Sequence, residues 1–328
     1  MTIRLPRWTG VSVLAALALG VTSAWAQPEA DKLPAVIKIV VPFAPGGSND
    51  VIARAIQPAL SKRLNTTVII ENKPGAAGSI GSDAVAKGPR DGSILLLTSS
   101  SLVTSAATMP TTTPYNVETA FAPVAMIGQG PMLLAVSSTT PYKTPEDFVK
   151  AARAKPEAVS YGTSGPGSIA HMSSEMLADA ARVQMLHVPY KGAAPALLDL
   201  ASGQIQMMVS NYSSIVAQIK SGRVRPLAVT SKNSSPSFPD LPPMAVAAPG
   251  FSAEIWVTVF APAGTPAPIV QRLNREINEI AKSPEVRALL EADGTLPMAL
   301  SPAEVTQRVK EDFAAWKKIA TAKNIRAE

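Results

Sequence analysis

One pattern occurs twice in this chain, about 120 residues apart, and both copies keep their polar landmarks in the same order. The first copy reads as a strand at Val36–Phe43, the Gly-rich loop Ala44-Pro-Gly-Gly-Ser-Asn-Asp50, a helix, a strand at Thr67–Glu71, the loop Asn72-Lys-Pro-Gly-Ala-Ala77, a helix, a strand at Ser93–Leu97 and Thr98-Ser-Ser-Ser101. The second reads as a strand at Val159–Gly162, Thr163-Ser-Gly-Pro-Gly-Ser168, a helix, a strand at Met185–Pro189, Tyr190-Lys-Gly-Ala-Ala194, a helix, a strand at Ile205–Val209 and Ser210-Asn-Tyr-Ser-Ser214. Strands such as Val36-Ile-Lys-Ile-Val-Val41 and Ile94-Leu-Leu-Leu97 are continuously apolar, as strands covered on both faces of a parallel sheet must be. Helical segments separate them, which makes an α/β chain. Two such units predict two lobes with matching polar loops on either wall of a cleft, the layout of a clamshell binding protein.

The lobes are expected at residues 27–128 with 253–328 and at residues 129–252, each a mostly parallel sheet flanked by helices. Two crossovers, Phe121–Ser137 and Ser252–Pro262, would form the hinge. Helix starts are marked by a capping residue before proline at Thr144, Thr265, Ser283 and Ser301. Gly203, Gly222 and Gly294 stand where C-terminal caps fall. Val305, Val309, Phe313, Trp316 and Ile319 form a core-facing stripe on the last helix. Pro58 falls inside the first helix, where it removes a hydrogen bond.

Residues 1–26 combine Arg4 and Arg7, an apolar run at Val11–Val21 and Ala24-Trp-Ala26. This predicts a secretory signal peptide cleaved after Ala26 and a periplasmic protein. The apolar run is too short to span a bilayer. Cysteine is absent, which excludes disulfides, thiolate metal sites and cysteine nucleophiles. The net charge of +6 loses two arginines with the leader. The remaining excess is too scattered to indicate nucleic acid.

A strand that ends in a Gly-rich turn before a helix presents backbone N–H groups and the positive end of the helix dipole. Ala44, Pro45, Gly46, Gly47, Asn49 and Asp50 in one lobe, and Thr163, Ser164, Gly165, Gly167 and Ser168 in the other, are therefore candidates to hold a carboxylate between facing helix starts. Asp50 would repel an anion, so it reads as a helix cap or as an acceptor for a bridging water. Gly75, Ala76, Ser99, Ser100, Tyr190, Lys191, Ser210 and Asn211 follow buried strands, where they either line a cleft mouth or simply make turns. Lys73 and Lys191 supply positive charge or remain solvated. His171, one turn after Ser168, contacts the ligand or supports the loop, and His187 reads as a core residue. Trp256 covers the cleft or packs in the core.

Enzyme motifs are incomplete. Gly162-Thr-Ser-Gly-Pro166 has Pro where a nucleophile elbow needs Gly, and no nucleotide-binding Gly-Lys-Ser/Thr follows a strand. Two histidines and no cysteine leave few ligands for a metal, so no metal and no cofactor are expected. A sensor subunit for a membrane partner, and a hydrolase using Ser164, stand as alternatives to a binding protein.

At the same loops the chain resembles the extracytoplasmic solute receptors of tripartite tricarboxylate transporters, the Bug family. The resemblance lies in Val41-Pro-Phe-Ala-Pro-Gly-Gly-Ser-Asn-Asp50 with Arg54, Glu71-Asn-Lys-Pro-Gly75, Gly162-Thr-Ser-Gly-Pro-Gly-Ser168 with His171, His187-Val-Pro-Tyr-Lys-Gly192, Pro226-Leu-Ala-Val-Thr-Ser231, and Trp256 with Ala261-Pro-Ala-Gly-Thr-Pro266. It implies a type II periplasmic binding fold, a carboxylated solute held through Ala44–Asp50 and Thr163–Ser168, and delivery by a monomeric receptor to a two-component membrane permease. Ala77 stands where Gly is frequent, Gln206 where Asp is common, and Ala247 where an acid often precedes Pro-Gly.

Overall fold

The structure, a computed structural model, describes residues 1–2, 32–322 and 324–326. All but the first two residues of the expected leader, and its cleavage point, lie outside the described residues. The chain forms two mixed sheets flanked by helices.

The first sheet has six strands in the order β11-β4-β10-β3-β1-β2: β1 Val36–Val41, β2 Thr67–Asn72, β3 Ile94–Ser99, β4 Phe121–Pro131, β10 Glu254–Pro262 and β11 Leu296–Pro297. The second has five in the order β7-β6-β8-β5-β9: β5 Leu133–Ser137, β6 Ser160–Thr163, β7 Leu186–Pro189, β8 Met207–Ser210 and β9 Val224–Val229. The parallel part of each sheet is the repeated unit, β2-β1-β3 in one and β7-β6-β8 in the other. The rest pairs antiparallel: the crossover strands β4, β5 and β10 run against their neighbours, and β9 pairs antiparallel with β5. "Mostly parallel" thus describes the repeats, and each complete sheet is mixed.

Helices α1 Ser48–Leu64, α2 Ser79–Ala86 and α3 Ser101–Thr108 follow the first three strands, and α8 Ala267–Ala281, α9 Pro284–Ala292 and α10 Pro302–Ala322 complete that lobe. In the second lobe α4 Pro145–Ala154, α5 Ile169–Ala181, α6 Ala193–Ser202 and α7 Tyr212–Lys220 play the same part. Sequence decides many of these ends. Thr144 and Asp147 cap α4 reciprocally, and Ser301 and Glu304 do so at α10. α8 starts instead at Ala267, with the Thr265 hydroxyl donating back to Pro262. Pro58 stays within a continuous α1 on its exposed side.

Ile269, Val270, Leu273, Ile277 and Ile280 of α8 are buried against β1, β3 and α1 in one core cluster. A second cluster lies under α6 and α7. A third runs through both lobes, from Leu96 and Trp256 to Tyr161 and Met207, and takes in Val305, Val309 and Trp316 of α10.

The two crossovers run side by side where the sheets meet. Met132, between β4 and β5, donates its N–H to Thr230 Oγ1 at 2.8 Å, and Thr230 N–H donates back to the Met132 carbonyl at 2.9 Å. Thr230, which follows β9, is fully buried, and its carbonyl accepts the Ala253 N–H at 2.9 Å, so it ties the first crossover to the start of the second.

Candidate ligand cleft

A cavity of about 340 Å³ opens between the lobes. Its walls include the first turns of helices from both sheets. Gly47, Ser48 and Asn49 come from α1, Ser101 from α3, Ile169 and Ala170 from α5, Ala193 and Ala194 from α6, and Asn211 and Ser214 from the start of α7. Five helix starts therefore converge on one volume, each contributing the positive end of its dipole.

The local chain explains this convergence. In each parallel unit the helices begin just beyond the carboxyl ends of the strands, the crevice where open α/β sheets bind ligands. Gly46, at φ +84°, makes the turn out of β1. Asp50 folds back under that turn and accepts hydrogen bonds from Gly46 N–H (2.9 Å), Arg54 Nε (3.0 Å) and Asn72 Nδ2 (2.9 Å). Burial works to raise its pKa, but Arg54, Gly46 and Asn72 together hold the carboxyl below its usual range. Asp50 thus braces the loop from behind. It does not line the cavity.

In the second lobe, Ser168 caps α5 by accepting the His171 N–H at 3.3 Å. The Gly167 N–H donates to His171 Nδ1 at 3.1 Å, which places the His171 proton on Nε2. The His171 ring stacks on His187 at 4.1 Å, His187 stacks on Tyr161 at 5.0 Å, and Thr163 Oγ1 lies 2.8 Å from His187 Nε2. The Tyr161 hydroxyl donates to Glu175. Burial pushes both histidines down to about 4, and the His171 ring stacked on it lowers His187 further. This stack stands behind the second loop as a support.

The lobes touch through these loops. Ser48 N–H donates to Ser214 Oγ at 3.3 Å, Ile169 N–H to Ser101 Oγ at 3.2 Å, and Ser105 Oγ to the Gly167 carbonyl at 3.4 Å. A Cβ on Gly165 would lie 3.6 Å from Ala77 N, and one on Gly192 would lie 3.5 Å from Ala44 Cβ. The first loop of each copy therefore faces the second loop of the other. Ala77 itself sits at φ +51°, left-handed backbone that favours glycine.

Of the residues singled out from the sequence, Ala44, Pro45, Gly46, Gly47, Asn49, Ser99, Ser164, Ser210 and Asn211 line the cavity. The others stand outside its lining. Gly75 and Ala76 lead the tight turn after β2, and Ser100 Oγ accepts the Trp256 N–H from β10. Thr163, Gly165, Gly167, Ser168 and His171 form the bracing behind Ser164. Tyr190 donates to Asp199 at 2.6 Å, and Lys191 and Lys73 are exposed. Trp256 is a core residue whose indole donates to Asp312 of α10, and its neighbour Ile255 faces the cavity.

Sequence reading missed the apolar wall, which includes Met132, Ile169, Leu197, Met208, Ile215 and Ile255. It also missed Asp293, at the end of α9. This buried carboxylate accepts Ser48 Oγ at 2.9 Å and the Ser213 N–H of α7 at 2.5 Å, tying the two lobes. Burial raises its pKa, against the hydrogen bonds from Ser213, Ser48 and Asn211. Only its position before Gly294 hinted at a helix end.

Residues 52–325 match the family model described as tripartite tricarboxylate transporter family receptor. The chain belongs to that family. The Bordetella pertussis protein BugT is 36% identical over 297 residues, covering 89% of this chain and 90% of BugT. A Pseudomonas sp. (strain P51) protein from the tcbD–tcbE intergenic region is 38% identical over 311 residues, 94% of this chain and 92% of that protein. Among solved structures, R. palustris Rpa4515 with adipate superposes with a TM-score of 0.85 at 34% identity, covering 89% of this chain and 98% of Rpa4515. The receptor is accordingly a solute-binding protein and not an enzyme. Among the described residues, His171 Nδ1 is engaged by Gly167 and His187 Nε2 by Thr163.

Proposed function

We propose that this receptor is exported, cleaved after Ala26, and captures a small carboxylated solute in the periplasm between lobes at 27–128 with 253–328 and at 129–252. The loaded monomer would then deliver the solute to a two-component permease of the tripartite tricarboxylate type. The observation that carries this reading is the cavity itself, where helix starts from both sheets converge and, among the described residues, no Asp, Glu, Lys, Arg or His is in the lining. An anion there is bound by backbone N–H groups and hydroxyls, which keep their strength where water is excluded. Rpa4515, whose structure holds adipate, and MatC, whose structure holds malate, share this fold at 34% and 30% identity.

Thermal denaturation of the purified receptor against small acids and their neutral amides tests the reading. A ligand that binds only the native state raises the melting temperature, by about 2.7 kcal/mol of added stability at a hundredfold excess over its Kd. An acid should shift the transition and its amide should not. Equal shifts, or none with any acid, would refute the carboxylate assignment.

A further inference from the structure

The two copies of the repeat meet through a reciprocal exchange. Ser48 and Ile169 are the first residues of α1 and α5, the helix that follows the Gly-rich loop in each copy. The N–H of a first helical residue has no partner within its own helix. Ser48 N–H donates to Ser214 Oγ of the second lobe at 3.3 Å, and Ile169 N–H donates to Ser101 Oγ of the first lobe at 3.2 Å. Ser101 and Ser214 are equivalent in their turn, since each lies in the first turn of the helix after the third strand of its copy, α3 after β3 and α7 after β8. Each lobe thus caps the other's first helix with a serine.

A serine hydroxyl has one hydrogen to give and two lone pairs to accept. In both serines the N–H from the opposite lobe occupies a lone pair, and among the described residues neither hydroxyl gives its hydrogen to a protein group. Both serines line the cavity. Other hydroxyls of the lining are placed differently. Ser48 gives its hydrogen to Asp293 at 2.9 Å, and Ser99 accepts locally, from the Ser101 N–H at 3.4 Å. Each bridge is braced beside the serine: Asp293 accepts the Ser213 N–H next to Ser214, and Ser105 Oγ donates to the Gly167 carbonyl two residues before Ile169.

Accepting the carboxylate reading above, we propose that Ser101 and Ser214 are ligand-binding residues, one from each lobe, that donate their hydroxyl hydrogens to carboxylate oxygens of the bound solute. Each makes a chain of N–H, hydroxyl and carboxylate in which the first hydrogen bond strengthens the second. The positive ends of α1 and α5 therefore act on the anion through a serine of the opposite lobe. Because the N–H and the hydroxyl belong to different lobes, both donors are set only when the lobes meet, and capture of the anion is coupled to closure. The arrangement places no limit on the number of carboxylates the solute carries.

Calorimetry on purified receptor, refolded to remove any retained solute, tests this with adipate, malate, hexanoate and benzoate and their amides. An acid that binds where its amide does not establishes the reading on which the inference rests, and the lack of any such acid would overturn both. For that acid, Ser101→Ala and Ser214→Ala should each weaken binding at least about tenfold, as expected for a hydrogen bond to a charged group. Unchanged or tighter binding in either variant would overturn the inference and leave the carboxylate reading standing; tighter binding would mean that the serine screens the helix start it caps. Without solute, both variants should melt with the wild type, since the bridges form on closure. A lowered melting temperature without solute would make the serines permanent braces between the lobes and overturn the coupling. In the unaltered receptor, hydrogen exchange at the Ser48 and Ile169 amides should slow at least about tenfold when the acid is added. Equal exchange with and without the acid would likewise overturn it.

Discussion

Gly167 shows how one residue serves both a turn and the meeting of the lobes. Its φ of +75° is left-handed, and a Cβ there would come within 2.6 Å of Thr108 Oγ1, 2.9 Å of Met109 Cε and 3.2 Å of Ser105 Cα on the opposite lobe. Gly167→Ala is therefore expected to hold the lobes apart, since α3 backbone cannot move aside as a side chain would. Small-angle scattering should show a larger radius of gyration for the variant under conditions where the wild type is compact. An unchanged radius would mean the loop absorbs the methyl group. Gly47 is a different case, with φ in the ordinary range and only the Ala44 carbonyl, at 3.8 Å, near a built Cβ. The sequence marks both glycines equally as parts of Gly-rich loops. Which of them faces the other lobe depends on residues 58 to 62 positions away, so no local signal carries it.

At the scale of elements, the short strand β11 and the turn before it determine where Asp293 stands. They can lie close to β4 because Gly128 and Gly130 have no side chains: a Cβ on Gly130 would sit 2.3 Å from the Gly294 carbonyl, and one on Gly128 would sit 2.5 Å from Thr295 Cγ2. Gly130→Ala should therefore push the turn off β4 and cost about 1–3 kcal/mol, the usual range for overpacking. Denaturant unfolding would measure it, and a cost within experimental error would show that the turn is free to shift. The repeated strand-loop-helix units are legible from apolar runs and loop composition, because both signals are local. Strand ends differ by a residue or two from the expectation, as with β8, expected at Ile205–Val209 and observed at Met207–Ser210. β11 was not anticipated, since two residues in a strand carry no periodicity and owe their pairing to β4.

For the molecule as a whole, the stack of Tyr161, His187 and His171 links folding to pH. Both histidines have pKa values lowered to about 4 by burial, against about 6.5 in an unfolded chain. Between those values the unfolded state binds more protons than the native state, so stability is full above about 6.5 and declines as pH falls toward about 4. The groups facing the stack are Glu175, whose charge works against the lowering at His187, and the uncharged Thr163 and Gly167. Melting temperature should fall across that window, and a His171→Asn, His187→Gln double variant should show a flatter profile over it. A parallel fall in both proteins would assign the effect to other groups. The sequence reads His187 as a core residue, but a strand position does not show which ring it meets across the sheet, here Tyr161 on one side and His171 on the other. The sequence by itself determined the α/β class, the duplicated unit, the loop that opens each copy and the family, because each is written in contiguous residues. Only the tertiary structure decided which helix starts are capped from the opposite lobe, which apolar residues wall the cavity, and that a carboxylate from α9 reaches α7 in the other lobe. Those facts depend on contacts between segments up to 245 residues apart, and a side chain's distant partner leaves no trace in its own neighbourhood of the sequence.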